Sequence, residues 1–467
     1  MNYEEATEYI KTLYNEKRII LGLERVRTLM SLVGDPQDDY PSAIITGTNG
    51  KGSTSLYLSS ILKEAGFKVG TNLSPHVEEI TERFLVDLEK ISKEKFACLT
   101  GVFKDAIENQ WPLSIERPTF HELMTAMAFL LFNDENVDFA VMEVGMGGRY
   151  DACNIVNNKL SVFTPIHYDH CRYLGNTLQS IANEKAQIMK NGGVAVSSPQ
   201  SPQVKMVLNE VAAKKGVHLQ YLDIRRFDRL ESHLLEPVRF KYKFKEGDED
   251  DISLNMIGDY QVFNASLAIL AAEKLSEIDD LPGFASKLDK ICIQQALKAV
   301  MSRHLPARLE MVGTNPALII DGGHNEHGVR NFLNQVSKRK NGGKVILVMG
   351  FKEGKNYFNV LPLLSNAVDR VIFTNFENYG GVSPSELKRE FDKVNTRESM
   401  PVDVVEDPIE ALDKAIVAVD DVEKDIVAVS GSLYLAGEVK NRMRLRDHTE
   451  SQAFENQGQQ PVLKHLM

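Results

Sequence analysis

The spacing of apolar and polar residues follows a helical period in some stretches of the chain and forms short apolar runs in others. Residues 4–14 and 23–33 place apolar side chains three and four positions apart, which predicts two amphipathic helices. The apolar pair Ile44-Ile45 predicts a strand, and a helical pattern of apolar residues begins at Leu56. A glycine-rich loop lies between them, so the pattern predicts strand, loop and helix in that order.

The loop at 47–53 has the composition of a phosphate-binding loop. Backbone N–H groups can converge on a phosphate where side chains are absent, and the following helix adds the positive end of its dipole. The lysine would bring a positive charge to the β- and γ-phosphates, and the hydroxyl of Ser53 or Thr54 can reach the nucleotide or its Mg²⁺. The candidate ATP-binding residues of the loop are Gly47, Thr48, Asn49, Gly50, Lys51, Gly52 and Ser53.

The C-terminal part of the chain alternates short apolar runs with helical stretches. The predicted strands are residues 317–321, 344–350, 370–376, 402–406 and 425–430. This alternation is typical of a mostly parallel sheet, and 467 residues are long for a single core. We therefore expect an α/β protein with three parts. A domain with a mostly parallel sheet and the phosphate loop (1–303) precedes a smaller Rossmann-like α/β domain (304–443) and a flexible tail (444–467).

Other polar residues suited to metal binding or catalysis occur at the ends of apolar stretches. Glu143 ends an apolar strand just before several glycines, and its carboxylate is a ligand type that Mg²⁺ prefers. The residues alone leave open whether His170 is a hydrogen-bonded core residue or a metal ligand, and they favour an ordinary ion pair for Lys185. Thr119 and Glu122 fit the two positions of a helix capping box.

Composition and charge argue against several classes of protein. A formal net charge of −11 does not suit a general nucleic-acid or membrane-surface binder. No apolar run approaches the roughly 18 residues of a membrane helix, and the first residues do not resemble a signal peptide. The four cysteines show no metal-binding or redox spacing, which favours reduced thiols. We expect a cytoplasmic protein whose partners are small molecules.

The order of several motifs along the chain indicates a protein family. These motifs lie at residues 47–53, 74–76, 143–154, 169–177 and 321–325. Together they resemble the Mur ligase superfamily, and specifically its folate branch, the folylpolyglutamate and dihydrofolate synthases. The short segment before the phosphate loop also resembles this branch, because cell-wall Mur ligases carry an additional domain there. The resemblance implies a Mur-type ATP-binding domain followed by a C-terminal ligase domain.

The resemblance also implies roles for individual residues. ATP would be contacted, beyond the phosphate loop, by Asn264, Arg308 and Asp321. Two Mg²⁺ ions would be bound by Ser74, Glu143, His170 and, if it is carbamylated, Lys185. Folate or glutamate would be contacted by Arg83, Thr119, Phe120, Asp151, His324 and Ser432. The implied catalytic residues are Lys51, Lys185, Asp321 and His324. His121 departs from the pattern, because the family commonly has an aromatic residue there.

The reaction implied by the resemblance is ATP-dependent ligation of L-glutamate to a folate carboxylate through an acyl phosphate. The acceptor would be dihydropteroate, tetrahydrofolate or both, and we expect a monomeric enzyme with both activities. Two alternatives keep this chemistry: folylpolyglutamate synthase activity alone, and a Mur-type amide ligase with another acceptor. A nucleotide-dependent switch would belong to a different class. Such a switch would use a base-reading Asn-Lys-x-Asp motif, which the chain lacks.

Overall fold

The structure is a computed structural model that describes residues 1–13, 20–230, 236–244, 247–281, 283–288, 290–338, 342–376 and 380–456. It divides into two compact units. The first unit contains Met1–Arg229, Phe240–Leu254 and Gln261–Val300. The second unit contains the chain from Met301 onward, together with Leu230–Arg239 and Asn255–Tyr260. These two short segments lie far from Met301 in sequence, and no sequence pattern indicated that they group with the second unit.

The main sheet of the first unit has eight strands among the residues that the structure describes. They are β1 (Ser42–Thr46), β2 (Val69–Asn72), β3 (Phe84–Val86), β4 (Glu89–Lys90), β5 (Phe139–Glu143), β6 (Leu160–Phe163), β7 (Val194–Ser197) and β8 (His218–Tyr221). Their order across the sheet is β4-β3-β2-β5-β1-β6-β7-β8. The strands from β2 to β8 in this order are parallel, and β3 and β4 are antiparallel additions. β1, β2, β5 and β6 are buried along their whole length, as expected for a parallel sheet covered on both faces.

Helices cover this sheet, and the helix after β1 is the most deeply buried part of the phosphate-loop region. The helices are α1 (Tyr3–Thr12), α2 (Glu24–Ser31), α3 (Lys51–Glu64), α4 (Lys93–Gln110), α5 (Phe120–Asp134), α6 (Cys171–Leu174), α7 (Leu178–Ala186), α8 (Pro202–Lys215), α9 (Tyr260–Leu275), α10 (Phe284–Lys287) and α11 (Lys290–Ala299). In α3 the ten residues 53–62 are all buried, so the core fixes the direction in which its N-terminus points. The predicted helices at 4–14 and 23–33 are confirmed as α1 and α2.

A smaller sheet precedes α9 in the chain. Its strands are β9 (Phe227–Arg229), β10 (Val238–Lys243) and β11 (Glu249–Leu254), in the order β11-β10-β9. Side chains of β10 alternate between buried and exposed positions, with Phe240 and Tyr242 on the buried face. This period of two is the pattern of a sheet with one solvated face.

The second unit is built on a sheet in which all but one strand are parallel, within the described part of the chain. Its strands are β12 (Glu310–Thr314), β13 (Ala317–Ile320), β14 (Val345–Met349), β15 (Arg370–Phe373), β16 (Val402–Val404) and β17 (Ile426–Ser430). The order is β12-β13-β17-β14-β15-β16, and β12 is the antiparallel strand. Its helices are α12 (Glu326–Val336), α13 (Leu361–Leu364), α14 (Pro384–Asp392), α15 (Pro408–Val417) and α16 (Leu433–Asn456). The predicted α/β fold class is confirmed.

The predicted tail (444–467) begins within α16, which continues to Asn456, and its flexibility stays a prediction. Two ion pairs attach α16 to α15: Arg442 to Asp407 at 2.6 Å and Arg446 to Asp413 at 2.9 Å. Contacts of this kind hold a polar helix end that has little apolar surface to bury. Residues 457–467, the remainder of that predicted tail, lie outside the described residues.

Two further sequence expectations concern membranes and thiols. No helix in the described ranges is long and apolar enough to cross a membrane. Cys98, Cys153 and Cys171 are free thiols, as predicted. The side chain of Cys292 lies outside the described set.

Candidate active site

The phosphate loop connects β1 to α3, as predicted. Gly50 caps α3 with a φ of 87°, a left-handed conformation that suits glycine, and the side-chain amide of Asn264 packs against it. Lys51 is the first residue of α3, and its Nζ donates to the Thr48 carbonyl at 3.2 Å. The Thr48 hydroxyl accepts from the His167 N–H at 2.9 Å and donates to the His167 carbonyl at 3.0 Å. The loop that follows β6 is therefore tied directly to the phosphate loop.

Lys185, in α7, is buried against the phosphate loop. Its Nζ donates to the Gly47 carbonyl at 2.7 Å. Burial, and then the nearby charge of Lys51, lowers the pKa of Lys185 to about 7, against the opposing effects of Asp169 and Asp151. A large fraction of this amine is therefore neutral at neutral pH, so it is far more nucleophilic than a surface lysine.

The predicted metal ligands lie at the carboxyl ends of three neighbouring or near-neighbouring strands of the sheet. Glu143, at the end of β5, is buried, and its Oε2 accepts from the Ser74 N–H at 2.8 Å, just beyond β2. His170 follows β6 and precedes α6, and its N–H donates to Asp169 Oδ1 at 2.8 Å. Among the described residues, no group of three or more His, Cys, Asp and Glu side chains is arranged to hold a metal ion. The predicted ligand set contains only two side chains of these types, Glu143 and His170.

The N-terminus of α5 holds the residues predicted to contact folate. The predicted capping box is confirmed: Thr119 Oγ1 accepts from the Glu122 N–H at 3.3 Å, and Glu122 Oε2 accepts from the Thr119 N–H at 2.7 Å. The Arg83 guanidinium carbon lies 5.1 Å from the centre of the Phe120 ring, a cation–π distance. Arg83 Nε also donates to His76 Nδ1 at 2.8 Å. Burial and the Arg83 charge lower the pKa of His76 to about 3, so this imidazole is neutral and accepts the bond.

Asp151 lies in the glycine-rich loop region after β5 and is almost completely buried. Its Oδ2 lies 3.0 Å from His121 Nε2 and accepts from the N–H groups of Gly145 and Met146 at 3.0 and 3.1 Å. Its Oδ1 accepts from the Cys153 N–H at 3.0 Å. Burial alone would raise the pKa of Asp151, but His121 and the N–H groups of Cys153 and Met146 outweigh it and lower the pKa. Burial alone would lower the pKa of His121, but the Asp151 carboxylate raises it overall.

In the second unit, Asp321 follows β13 and organises the backbone around it. Its Oδ2 accepts from the Leu309 N–H at 2.9 Å and its Oδ1 from the Gly323 N–H at 2.8 Å. Burial raises the pKa of Asp321, against the opposing effects of Arg308 and these two N–H groups. The Arg308 guanidinium also lies beside Gly322, the residue after Asp321. Arg308 and Asp321 are therefore neighbours.

His324 and Ser432 lie in the loops that follow two adjacent parallel strands, β13 and β17. His324 Nδ1 lies 3.1 Å from the Gly322 carbonyl, and it must donate because the carbonyl can only accept. The Ser432 hydroxyl accepts from the Tyr434 N–H at 3.1 Å, near the start of α16. Both loops lie at the carboxyl edge of the sheet, where open α/β folds bind their ligands.

The structure thus gathers the predicted residues into local groups within each unit. In the first unit, Lys51, Lys185 and Asn264 surround the phosphate loop. The Ser74 N–H is hydrogen-bonded to the Glu143 carboxylate. The Arg83 guanidinium lies over the Phe120 ring. In the second unit, Arg308, Asp321, His324 and Ser432 lie at one sheet edge. The sequence did not predict the contacts of His76, His121 and Asp169. The first follows Ser74-Pro75 and the last precedes His170, so both stand inside motifs that already indicated a site.

Two protein-family models match the amino-acid sequence of this chain. The Mur ligase middle domain matches residues 45–272, which contain the phosphate loop, Glu143, His170, Lys185 and Asn264. The Mur ligase glutamate ligase domain matches residues 307–433, which contain Arg308, Asp321, His324 and Ser432. The fold and the candidate site therefore define a ligase of the Mur type.

Individual relatives define the family more closely. The dihydrofolate synthase/folylpolyglutamate synthase of Bacillus subtilis is 32% identical over 424 residues, covering 91% of this chain and 95% of that protein. The folylpolyglutamate synthase of Lacticaseibacillus casei is 29% identical over 449 residues, covering 95% and 99%. The Mycobacterium tuberculosis folylpolyglutamate synthase, solved with ADP and AMPPCP, has a TM-score of 0.82 at 28% identity, covering 94% and 98%. The chain belongs to the dihydrofolate synthase/folylpolyglutamate synthase family and is an ATP-dependent ligase.

Proposed function

We propose that this protein adds L-glutamate to dihydropteroate and also to tetrahydrofolate, with ATP converted to ADP and phosphate. The B. subtilis relative, whose name carries both activities, supports the bifunctional form. The L. casei relative, named for folylpolyglutamate synthase alone, supports the alternative with one activity. The observation that carries the proposal is the pair of lysines at the phosphate loop: Lys51 begins α3, and buried Lys185 donates to the Gly47 carbonyl.

The first step is attack of an acceptor carboxylate oxygen on the γ-phosphorus of ATP. The bond from that phosphorus to the bridging oxygen breaks, ADP leaves, and an acyl phosphate forms. Negative charge grows on the transferred phosphoryl group and on the leaving oxygen. The backbone N–H groups of the phosphate loop, the N-terminus of α3 and the Lys51 ammonium stabilise that charge.

In the second step the amine of L-glutamate attacks the acyl carbon, phosphate leaves, and the nitrogen loses a proton. We propose that His324 either orients the glutamate or accepts this proton. Its Nδ1 donates to the Gly322 carbonyl, which fixes the orientation of the ring. Ser432, after the adjacent strand, would contact the glutamate, and Arg308 and Asp321 would contact the nucleotide.

The donor set is chemically suited to Mg²⁺. Glu143 offers a buried carboxylate beside Ser74, and His170 offers an imidazole at the end of the next but one strand. Carbamylation of Lys185 would add a further anionic oxygen ligand, and its pKa of about 7 supports reaction of the neutral amine with CO₂. The carbamate would also replace an ammonium that repels Lys51. Two Mg²⁺ ions held by these residues would supply neutralisation of the phosphate charge.

The remaining assignments are also proposals. Asn264, packed on the phosphate loop, would contact the adenine of ATP. Arg83, Thr119, Phe120 and Asp151 would form the region that receives the folate or pteroate acceptor. We further propose a monomeric enzyme in the cytoplasm, where the nucleotide and reduced folates are available.

The test is an assay of glutamate-dependent ADP release with three acceptors in parallel: dihydropteroate, tetrahydrofolate and a muramyl-peptide precursor. We expect turnover with the first two. Turnover with tetrahydrofolate alone would support the single-activity alternative, and turnover with only the muramyl precursor would support a different Mur-type ligase. Absence of glutamate- and folate-stimulated turnover would refute the proposal.

The phosphate loop is tested by two matched variants on α3. Lys51→Ala removes the ammonium at the N-terminus of the helix, and we expect turnover to fall by at least about a thousandfold. Lys63→Ala removes a lysine from the last turn of the same helix, and we expect activity close to that of the parent protein. Substantial activity in Lys51→Ala would show that the loop does not bind the transferred phosphate.

A further inference from the structure

The backbone on both sides of Arg308 has a left-handed conformation. Ala307 has a φ of 56° and Leu309 a φ of 49°, a region that residues with a Cβ atom adopt rarely and at a cost in energy. Both side chains are buried, at 0% and 1% exposed, whereas Arg308 between them is partly exposed. Two unfavourable residues therefore flank a single accessible arginine, and neighbouring groups must hold them in that conformation.

Three backbone groups of this stretch are held by hydrogen bonds. The Ala307 carbonyl accepts from the Gly322 N–H at 2.8 Å, and the Leu309 N–H donates to Asp321 Oδ2 at 2.9 Å. The third group, the Ala307 N–H, donates to Glu310 Oε2 at 2.7 Å. Glu310 is the first residue of β12, so its carboxylate reaches back three residues along the chain to fix this N–H.

The Glu310 carboxylate is fixed in turn by a lysine of α16. Lys440 Nζ lies 2.7 Å from both Glu310 Oε1 and Glu310 Oε2, and only 12% of each side chain is exposed. Charge-assisted bonds at this degree of burial are stronger than neutral ones and are screened less than a surface ion pair. The two residues are 130 positions apart in sequence, so this contact connects α16 to the loop that carries Arg308.

The Arg308 guanidinium is positioned by the backbone of this loop. Asp321 acts on it through charge, and its Nη1 lies 3.1 Å from the place that a Cβ atom at Gly322 would occupy. Among the residues that the structure describes, the guanidinium donates no hydrogen bond. Its position therefore depends on the conformation of residues 307–309, and its donors are available to an anionic ligand.

We propose that Glu310 and Lys440 are positioning residues for nucleotide binding, which act through Arg308. Glu310 holds the left-handed Ala307, Lys440 holds Glu310, and the loop then presents the Arg308 guanidinium to a phosphate of the nucleotide. The inference rests on the contact between Arg308 and the nucleotide that is part of the proposed function. Glu310 and Lys440 themselves contact no reactant, so their effect is on nucleotide affinity.

The test is the dissociation constant of ADP, measured by isothermal titration calorimetry without acceptor or glutamate. Glu310→Ala removes both the acceptor of the Ala307 N–H and the partner of Lys440, and we expect ADP binding to weaken about tenfold. Lys440→Met keeps the bond to Ala307 and removes the group that fixes the carboxylate, so we expect a weakening of about threefold. Lys440→Arg retains the cation and should bind ADP within about twofold of the parent protein.

A double-mutant cycle decides whether Glu310 acts through the arginine. Arg308→Met alone should weaken ADP binding at least about tenfold. Adding Glu310→Ala to it should change the affinity by less than about twofold, because the arginine that Glu310 positions is then absent. Additive effects of the two substitutions would overturn the inference. So would an unchanged affinity in either single variant.

A matched control on the same helix separates positioning from a general loss of stability. Arg442→Met removes a different ion pair of α16, the one to Asp407 at 2.6 Å, and we expect parent-like ADP affinity. Equal weakening of ADP binding in Arg442→Met and Glu310→Ala would overturn the inference. Thermal unfolding midpoints show whether each variant is folded. If Glu310→Ala does not fold, Lys440→Met replaces it in the cycle with Arg308→Met, and additive effects there count against the inference in the same way.

Failure of this inference can be told apart from failure of the proposed function. ADP binding is measured without turnover, so it decides the roles of Glu310 and Lys440 even if the parent protein ligates glutamate to neither folate acceptor. If the parent protein turns over both acceptors and Glu310→Ala has unchanged ADP affinity, the function stands and only the inference is wrong.

Discussion

Replacing Lys185 by methionine should stabilise the first unit at neutral pH while abolishing turnover. Lys185 is buried and its pKa is lowered to about 7 from an ordinary value of 10.5. In the unfolded chain the amine is fully charged at neutral pH, whereas the folded protein must either bury the charge or release the proton. Lys185→Met has a side chain of similar length with no charge, so it removes this penalty.

The size of the effect follows from the change in pKa. One pKa unit corresponds to about 1.4 kcal/mol, so at pH 7 a buried lysine with a pKa of about 7 lowers the free energy of unfolding by about 4 kcal/mol. The variant loses the bond from Nζ to the Gly47 carbonyl, which offsets about 2 kcal/mol of this gain. We therefore expect Lys185→Met to be about 2 kcal/mol more stable at pH 7.

The pH dependence has a definite sign. Between pH 7 and 10.5 the unfolded parent chain binds a proton at Lys185 that the folded protein does not, so the stability of the parent rises with pH. The variant has no such group. Its advantage should therefore shrink by about 4 kcal/mol between pH 6 and pH 10, and become a small disadvantage at the upper end.

The assay is urea unfolding at a series of pH values, followed by tryptophan fluorescence. The chain has a single tryptophan, Trp111, which lies in the first unit with Lys185, so the signal reports on that unit. Buffers should be free of CO₂ to keep the amine unmodified. Lys214→Met, a lysine that is 71% exposed on α8, is the matched control and should show no comparable pH dependence. A stability difference between Lys185→Met and the parent that does not vary with pH would refute the reasoning.

Two other predictions concern a buried ion pair and the nucleotide. Arg25 and Glu122 form an ion pair at 2.8 Å with side chains only 8% and 6% exposed, so Arg25→Met should cost about 3 kcal/mol by leaving a buried charge unpaired. The double variant Arg25→Met/Glu122→Gln should recover part of this loss in urea unfolding, and a further loss would contradict the explanation. Asn264→Ala, at the phosphate loop, should raise the KM for ATP about tenfold and leave the acceptor KM unchanged. An effect on the acceptor KM alone would place Asn264 outside the nucleotide site.

Much of the fold could be predicted because its signals are local. The strand, loop and helix at 42–64 follow from an apolar run, glycines at the turn and a helical pattern, all within one stretch of chain. The capping box of Thr119 and Glu122 spans three residues and was predicted for the same reason. The α/β class and the family follow from such stretches taken in order.

Composition did not indicate the helical conformation of the first part of the predicted tail, because composition does not report ion pairs made across the fold. Arg442 and Arg446 of α16 pair with Asp407 and Asp413, which lie 33 to 35 residues earlier in the chain. A polar sequence therefore remained helical where no apolar pattern required it.

The sequence by itself determined the two α/β parts, the phosphate loop and the residue types available for chemistry. Only the tertiary structure decided which of these residues meet and how water is excluded from them. Lys185 reaches the Gly47 carbonyl across 138 residues of chain, and burial at that point changes its charge state. His121 and Asp151 are 30 residues apart, and their contact assigns the buried role to one and the exposed role to the other. Desolvation and contacts between distant residues arise from packing, so the spacing of residues along the sequence does not predict either of them.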